Sequence, residues 1–350
     1  MTAPRTLMLV SARVDARLRR QVAEGVRPSP EFALLEERHG VQLLDWSGLG
    51  PGSQRSGWRS MLHVAAALRR LAGVDVVFSD GEHVGIPLAI AMRALKIDTP
   101  HLVLGHHLTT PAKEKVFRRL RPDLGMSRIL VHSPLQGELA HRELGIPSEK
   151  LVVIPYYADA SFWRPSTLAE EPLVVSAGRE HRDYRTLAQA CAELKGRVFV
   201  AAGSVHSPAS ADRRPERWPA NFEHGFADYA TLRDLYARAR VVVVPVLETD
   251  FQAGITTVLE AMAMGKAVVA TATRGQAGAV RDGINGLTVA PGDVRALRQA
   301  VTYLFENPGE RARLGRAARQ AVLDEFSVES YGRLLARHFE ELAGASLAAA

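Results

Sequence analysis

At 350 residues the chain is longer than one hydrophobic core organises, since single cores stop growing at about 250–300 residues, so two domains are expected. Its 47% hydrophobic and 23% charged residues exclude disordered, collagen-like and low-complexity classes. The formal charge of +6 invites a nucleic-acid or anionic-surface partner, but 38 of the 44 basic residues are arginines spread among acids, with no recognition module beside them, so no nucleic acid is expected.

In chain order, apolar runs of strand length fall at 6–12, 41–46, 74–80, 101–107 and 128–133, followed by a strand that enters an aromatic, proline-ended connection at 151–165. A second series follows at 173–179, 198–203, 241–248, 266–271 and 286–289. The Pro- and Ser-rich stretch 204–221 reads as a surface loop, and two long helical patterns, 308–326 and 327–344, close the sequence. Strands that lack polar alternation, separated by helix-length segments, indicate parallel sheets covered on both faces. The expected class is α/β, with two Rossmann-like doubly wound parallel-sheet domains, 1–160 and 166–326, and a helix over about 328–344 packing back onto the first. Ligands of such sheets bind at the carboxyl ends of the strands, so a cleft between the domains is the default site. The longest apolar runs, such as VVVVPVL at 241–247, fall short of the ~20 residues of a membrane span. The first residues lack a signal-peptide layout, and the single cysteine, Cys191, excludes a disulfide framework. The expected location is cytoplasmic.

Several cofactor motifs are missing. Gly48, Gly50 and Gly52 follow a strand but do not keep the dinucleotide-binding spacing, no phosphate loop of the GxxxxGK[ST] type exists, and no metal-ligand pattern is found, so neither metal nor cofactor is expected. The stretch DFQAGITTVLEAMAMGKAVVAT at 250–271 carries more information. Thr257 and Glu260 fit a capping box that would satisfy the first amides of a helix. The same residues also suit a ligand: Gly254 admits close backbone approach, the amides of Ile255, Thr256 and Thr257 face an anion, and Glu260 could accept two hydrogen bonds from a ribose diol. The residues alone leave both readings open. The basic amphipathic stretch around 113–121 reads as a solvated helix face, with an anionic acceptor or weak membrane-surface contact as the alternative.

The run QAGITTVLEAMAMGKAVVATATRGQAGAVRDGINGLTVAPGDVRAL at 252–297 resembles the signature of glycosyltransferase family 4, the retaining nucleotide-sugar enzymes of GT-B fold. Segments 130–155, 174–190, 229–245 and 324–342 extend the resemblance over most of residues 74–342. It implies a C-terminal domain for a nucleoside diphosphate sugar and an N-terminal domain for an acceptor, which could be a small molecule, a glycolipid or a glycan. It also implies that Glu260 binds the ribose and that Gly178 and Arg179 contact the diphosphate, with Arg182, or less readily Arg185, as the second base. A histidine near the reacting sugar corresponds to His106 or His107, with His107 preferred. Asp80, Glu82 and His83 end the preceding strand and read as ordinary loop polarity, with the acceptor side as the alternative. Three features depart from the family pattern: Gln252 replaces a glutamate that contacts the donor sugar, Ser11–Arg13 replace a glycine-rich loop, and Tyr156-Tyr157 replace an Asn-Gly connection. An epimerase or hydrolase of the same fold, or a relative that binds without catalysis, stays open beside the transferase.

Overall fold

A computed structural model describes residues 3–49, 56–203 and 213–349. The chain divides into two compact units, one made of Met1–Ala23, Ser29–Pro155 and Tyr331–Ala350, the other of Glu24–Pro28 and Tyr156–Ser330. Gly50 and Gly52, and residues 204–212 of the expected surface loop 204–221, lie outside the described residues.

The first unit is built on six strands: β1 (Thr6–Leu9), β2 (Gln42–Leu44), β3 (Val76–Ser79), β4 (His101–Gly105), β5 (Arg128–Val131) and β6 (Leu151–Val153). All pair in parallel, in the order β2-β1-β3-β4-β5-β6. Helices α1 (Ala16–Ala23), α2 (Glu31–His39), α3 (Ser56–Leu68), α4 (Glu82–Ala94), α5 (Pro111–Leu120) and α6 (Pro134–Leu144) lie between them. Proline opens α5 and α6 at a position where its missing N–H costs nothing, and the Ser133 hydroxyl caps α6 by accepting from the Gln136 amide at 3.3 Å. Leu7, Leu9 and Val77 pack with Val84 and Leu88 of α4, while Val103, Ile129 and Val131 pack with Phe117 of α5 and Ala140 of α6.

The second unit repeats the plan with β7 (Leu173–Ala177), β8 (Arg197–Gly203), β9 (Phe222–Phe226), β10 (Val241–Val244), β11 (Ala267–Thr271) and β12 (Leu287–Val289), in the parallel order β12-β11-β10-β7-β8-β9. Helices α7 (Tyr184–Cys191), α8 (Tyr229–Arg238), α9 (Ile255–Ala263), α10 (Val294–Glu306) and α11 (Pro308–Ala321) complete it. The unbroken apolar run of β10 is explained by two cores: Val242 and Val244 face Leu259 and Met262 of α9, and Val241 and Val243 face Leu187 of α7 and Val301 of α10. Such a strand is buried on both faces and needs no polar alternation. The edge strand β9 has no counterpart in the sequence-based series. Only Phe222 of its five residues is buried, and Phe226 is 61% exposed, so it carries no buried-strand pattern. After a turn at Val322–Phe326, α12 (Val328–Ala349) runs from the second unit into the first, where Phe339 packs on Phe78 at 5.6 Å and Arg128 pairs with Glu341 at 2.7 Å. Among the described residues, no helix is long and apolar enough to cross a membrane.

Candidate functional site

Each unit gathers polar residues at the carboxyl ends of its strands. In the second unit the strand order reverses at β7, which lies between β10 and β8, and that reversal is where open α/β sheets leave room for a ligand. Gly178 follows β7 with φ +102°, and Gly254 precedes α9 with φ +80°; both conformations favour glycine. Between these two turns lies Arg182, 3% exposed. Its Nε donates to the Ala177 carbonyl (2.9 Å), Nη1 to the Glu180 carbonyl (2.7 Å) and Nη2 to the Thr257 hydroxyl (3.2 Å). A Cβ on Gly178 would overlap this guanidinium, and one on Gly254 would come within 3.3 Å of it. The glycines are therefore fixed by close approach as well as by backbone angle. Three of the five N–H groups of Arg182 are accounted for by these bonds.

The start of α9 corrects the capping-box expectation. Gly254 occupies the cap position without a side-chain bond, Thr257 lies inside the first turn and accepts from Arg182, and Glu260 sits one turn later. Ile255 donates weakly to the Gln252 carbonyl at 3.4 Å, and among the described residues no backbone acceptor meets the amides of Thr256 and Thr257. Thr256 is exposed, whereas Ile255 and Thr257 are buried. Burial pushes the Glu260 carboxyl up to about 8, against the opposing influence of the Tyr236 hydroxyl and the Arg182 charge. Gln252 is buried at 7% exposure in the β10–α9 loop, and Arg179, directly after Gly178, is half-buried. Arg185 is exposed on α7. The structure thus brings Gly178, Arg182, Gly254, Thr257 and Glu260 together. Tyr236 of α8 was missed by sequence reasoning, although it lies in the segment 229–245 that carried the resemblance.

In the first unit the strand order reverses at β1, between β2 and β3. Across this point the Ser11 amide donates to Asp80 Oδ2 and its hydroxyl to Oδ1. Burial raises the Asp80 carboxyl to about 6 despite these two bonds. Burial would also raise Glu82, but the charge and hydrogen bond of Lys113 and the His106 amide (3.0 Å) hold it down at about 2. His106 is fixed at three points: its amide on Glu82, its Nε2 on the Asp80 carbonyl (3.0 Å), and its carbonyl accepting from Gln136 Nε2. Its ring stands 5.7 Å from that of His132. His107 is exposed, and its carbonyl accepts from Lys113 Nζ. His106 is likewise exposed, with its ring on the Asp80 carbonyl, so both histidines of the pair reach the surface at the end of β4. Burial lowers the pKa of His83. Sequence reasoning missed Ser11 as a partner of Asp80 and Lys113 as a partner of Glu82, because the pairs are 69 and 31 residues apart in sequence. Among the described residues, no group of three or more His, Cys, Asp or Glu is arranged to hold a metal ion.

Residues 171–307 match the family model described as Glycosyl transferases group 1. The lipopolysaccharide core biosynthesis glycosyltransferase LpsE of Rhizobium meliloti is 28% identical over 47% of this chain and 48% of its own length. The D-inositol 3-phosphate glycosyltransferase of Kribbella flavida is 40% identical over 25% of this chain and 20% of its own. The chain therefore spans about half or less of these curated relatives. Among solved structures, sucrose-phosphate synthase of Thermosynechococcus elongatus matches with TM-score 0.70 and 19% identity over 97% of this chain and 100% of its own. Anabaena HepE, solved in complex with UDP-glucose, matches with TM-score 0.67 and 17% identity over 97% and 100%. Two six-stranded parallel sheets with flanking helices, matched to these structures along the chain, make the fold GT-B, and the stretch 171–307 that matches the group 1 model lies within the second unit.

Proposed function

We propose that the protein is a retaining, metal-independent glycosyltransferase of glycosyltransferase family 4 that moves a sugar from a nucleoside diphosphate sugar to a small-molecule, glycolipid or glycan acceptor. The observation that carries this reading is the convergence of Gly178, Arg182, Gly254, Thr257 and Glu260 at the switch point of the second sheet. Arginine, two tight glycine turns and a helix start form a cationic, amide-rich cradle suited to a diphosphate, with a carboxyl one helical turn away for a ribose. A nucleotide-sugar donor is further supported by the UDP-glucose in the HepE complex, and glycoconjugate synthesis by the printed name of LpsE.

In this reading the second unit, about 166–326, holds the donor, and the first, 1–160 with the helix over about 328–344, holds the acceptor. The acceptor oxygen attacks the anomeric carbon on the face from which the diphosphate leaves. The bond from that carbon to the phosphate oxygen breaks, and the acceptor proton passes to the departing phosphate. Arg179, Arg182 and the helix start stabilise the charge that builds there, so a divalent cation has no necessary role. His106, held by Glu82, Asp80 and Gln136, orients acceptor or donor hydroxyls from the first unit. The work is cytoplasmic.

The test is a panel of nucleoside diphosphate sugars with and without acceptors, in buffer containing a chelator. Turnover that requires an acceptor supports transfer; donor breakdown or epimerisation alone, or binding without turnover, overturns it. Arg179→Ala is expected to lower kcat/KM about 100- to 1000-fold. An unchanged rate and donor affinity would place the diphosphate elsewhere. Gln252→Glu restores the family charge at a buried position and is expected to change which donor sugars are turned over while nucleotide affinity stays within about twofold. Calorimetric titration with the nucleotide separates the two effects.

A further inference from the structure

In the first unit, α4 and α5 end side by side. Arg93 Nη1, in the last turn of α4, donates to the carbonyls of Leu120 (3.1 Å) and Arg121 (3.3 Å) at the end of α5. The following turn, Pro122–Gly125, packs on α4 so closely that a Cβ on Gly125 would fall on the Ala89 carbonyl. Three leucines stand out of this surface: Leu95 at 60% exposure, Leu120 at 51% and Leu124 at 53%. Arg93, Lys96, Lys115, Arg118, Arg119 and Arg121 are all exposed on the same two helix ends. Over residues 93–124 seven basic residues face three acidic ones. One of the three, Asp123, is buried and paired with Arg121 at 2.8 Å, and another, Glu114, is paired with Arg118. Asp98 is the remaining acid, and it is exposed.

A single exposed leucine needs no explanation. Three of them on tied helix ends, interspersed along these segments with exposed cations that have long aliphatic stems, suit a surface that offers phosphate charge above an apolar layer. A nucleic acid would leave the leucines without a partner. We propose that this face docks on an anionic membrane surface, with the leucines entering the acyl boundary and the arginines and lysines at the level of the headgroup phosphates. Docking is peripheral, since no described helix can span a bilayer.

The test is sedimentation of the full chain with vesicles of phosphatidylcholine alone or with about 30% phosphatidylglycerol. Binding to the anionic vesicles only is expected, weakening as salt rises from about 0.1 M to about 0.5 M. The double variants Arg118→Glu with Arg119→Glu, and Leu120→Glu with Leu124→Glu, are each expected to lower the partition coefficient at least about tenfold. As a second readout, dansyl-labelled phosphatidylglycerol vesicles should quench protein tryptophan emission in the wild type and in Leu124→Trp, more strongly in the latter. Failure of the wild type to sediment with anionic vesicles, equal binding to neutral ones, or undiminished binding by both double variants would overturn the proposal. Binding is read without donor or acceptor, so this result stands apart from the transferase assays.

Discussion

Replacing Arg182 with alanine is expected to abolish sugar transfer and to destabilise the second unit by about 3–5 kcal/mol. The guanidinium is 3% exposed and ties the end of β7 to the start of α9 through Ala177, Glu180 and Thr257. Its loss leaves those acceptors unmet and removes the cation that opposes the raised pKa of Glu260. Arg182→Lys is expected to fail as well, since one ammonium cannot span three acceptors in a planar fork. Denaturant unfolding monitored alongside the transfer rate gives the readout. An alanine variant as stable and as active as the wild type would show that the two turns hold themselves.

Glu260→Gln is the second large effect, and it is expected to depend on pH. The folded carboxyl titrates at about 8, above its ordinary value of 4.5, so between these limits the folded chain keeps a proton that the unfolded chain has lost. Stability contributed by this group is therefore full below pH 4.5 and is lost as pH rises through 8, by at most about 1.4 kcal/mol per pH unit. Glutamine removes the titration, so the variant should melt above the wild type at pH 8 and show a flatter stability profile. Nucleotide binding should weaken about 10- to 100-fold, as expected for losing hydrogen bonds to a charged acceptor. In the wild type a bound diol favours the ionised carboxylate, so nucleotide affinity should increase with pH towards 8 and binding should release a proton. Parallel stability curves for wild type and variant would mean that Glu260 carries no burial penalty.

Much of the fold was legible because the strands of parallel sheets are buried on both faces: VVVV in β10 and AVVAT in β11 cannot be mistaken for exposed segments. β9 escaped because FEHGF, at a sheet edge, buries only its first residue. The site was legible in its residue identities and less so in its geometry. Thr257 and Glu260 satisfy the capping-box spacing, yet the helix starts at Ile255, because Gly254 adopts a left-handed backbone that no spacing rule encodes. Likewise the family resemblance implies phosphate contacts for Arg179 and Arg182, but the burial of Arg182 follows from side-chain bonds across 75 residues of sequence. In the first unit Asp80, Glu82 and His106 were candidates, while the partners that tune them come from elsewhere in the sequence, Ser11 from the loop after β1 and Lys113 from the first turn of α5.

The last helix has a consequence for how the chain is made. Residues from Tyr331 onward belong to the first unit, and Phe339 fills part of its core against Phe78. On the ribosome, the first unit is therefore left with an open apolar seam while all of Tyr156–Ser330 is synthesised and folds. The second unit, nearly continuous in sequence, can form first even though it is made later. Order of synthesis and order of completion are thus reversed, and the exposed seam around Phe78 is where chaperone capture of the nascent chain is expected.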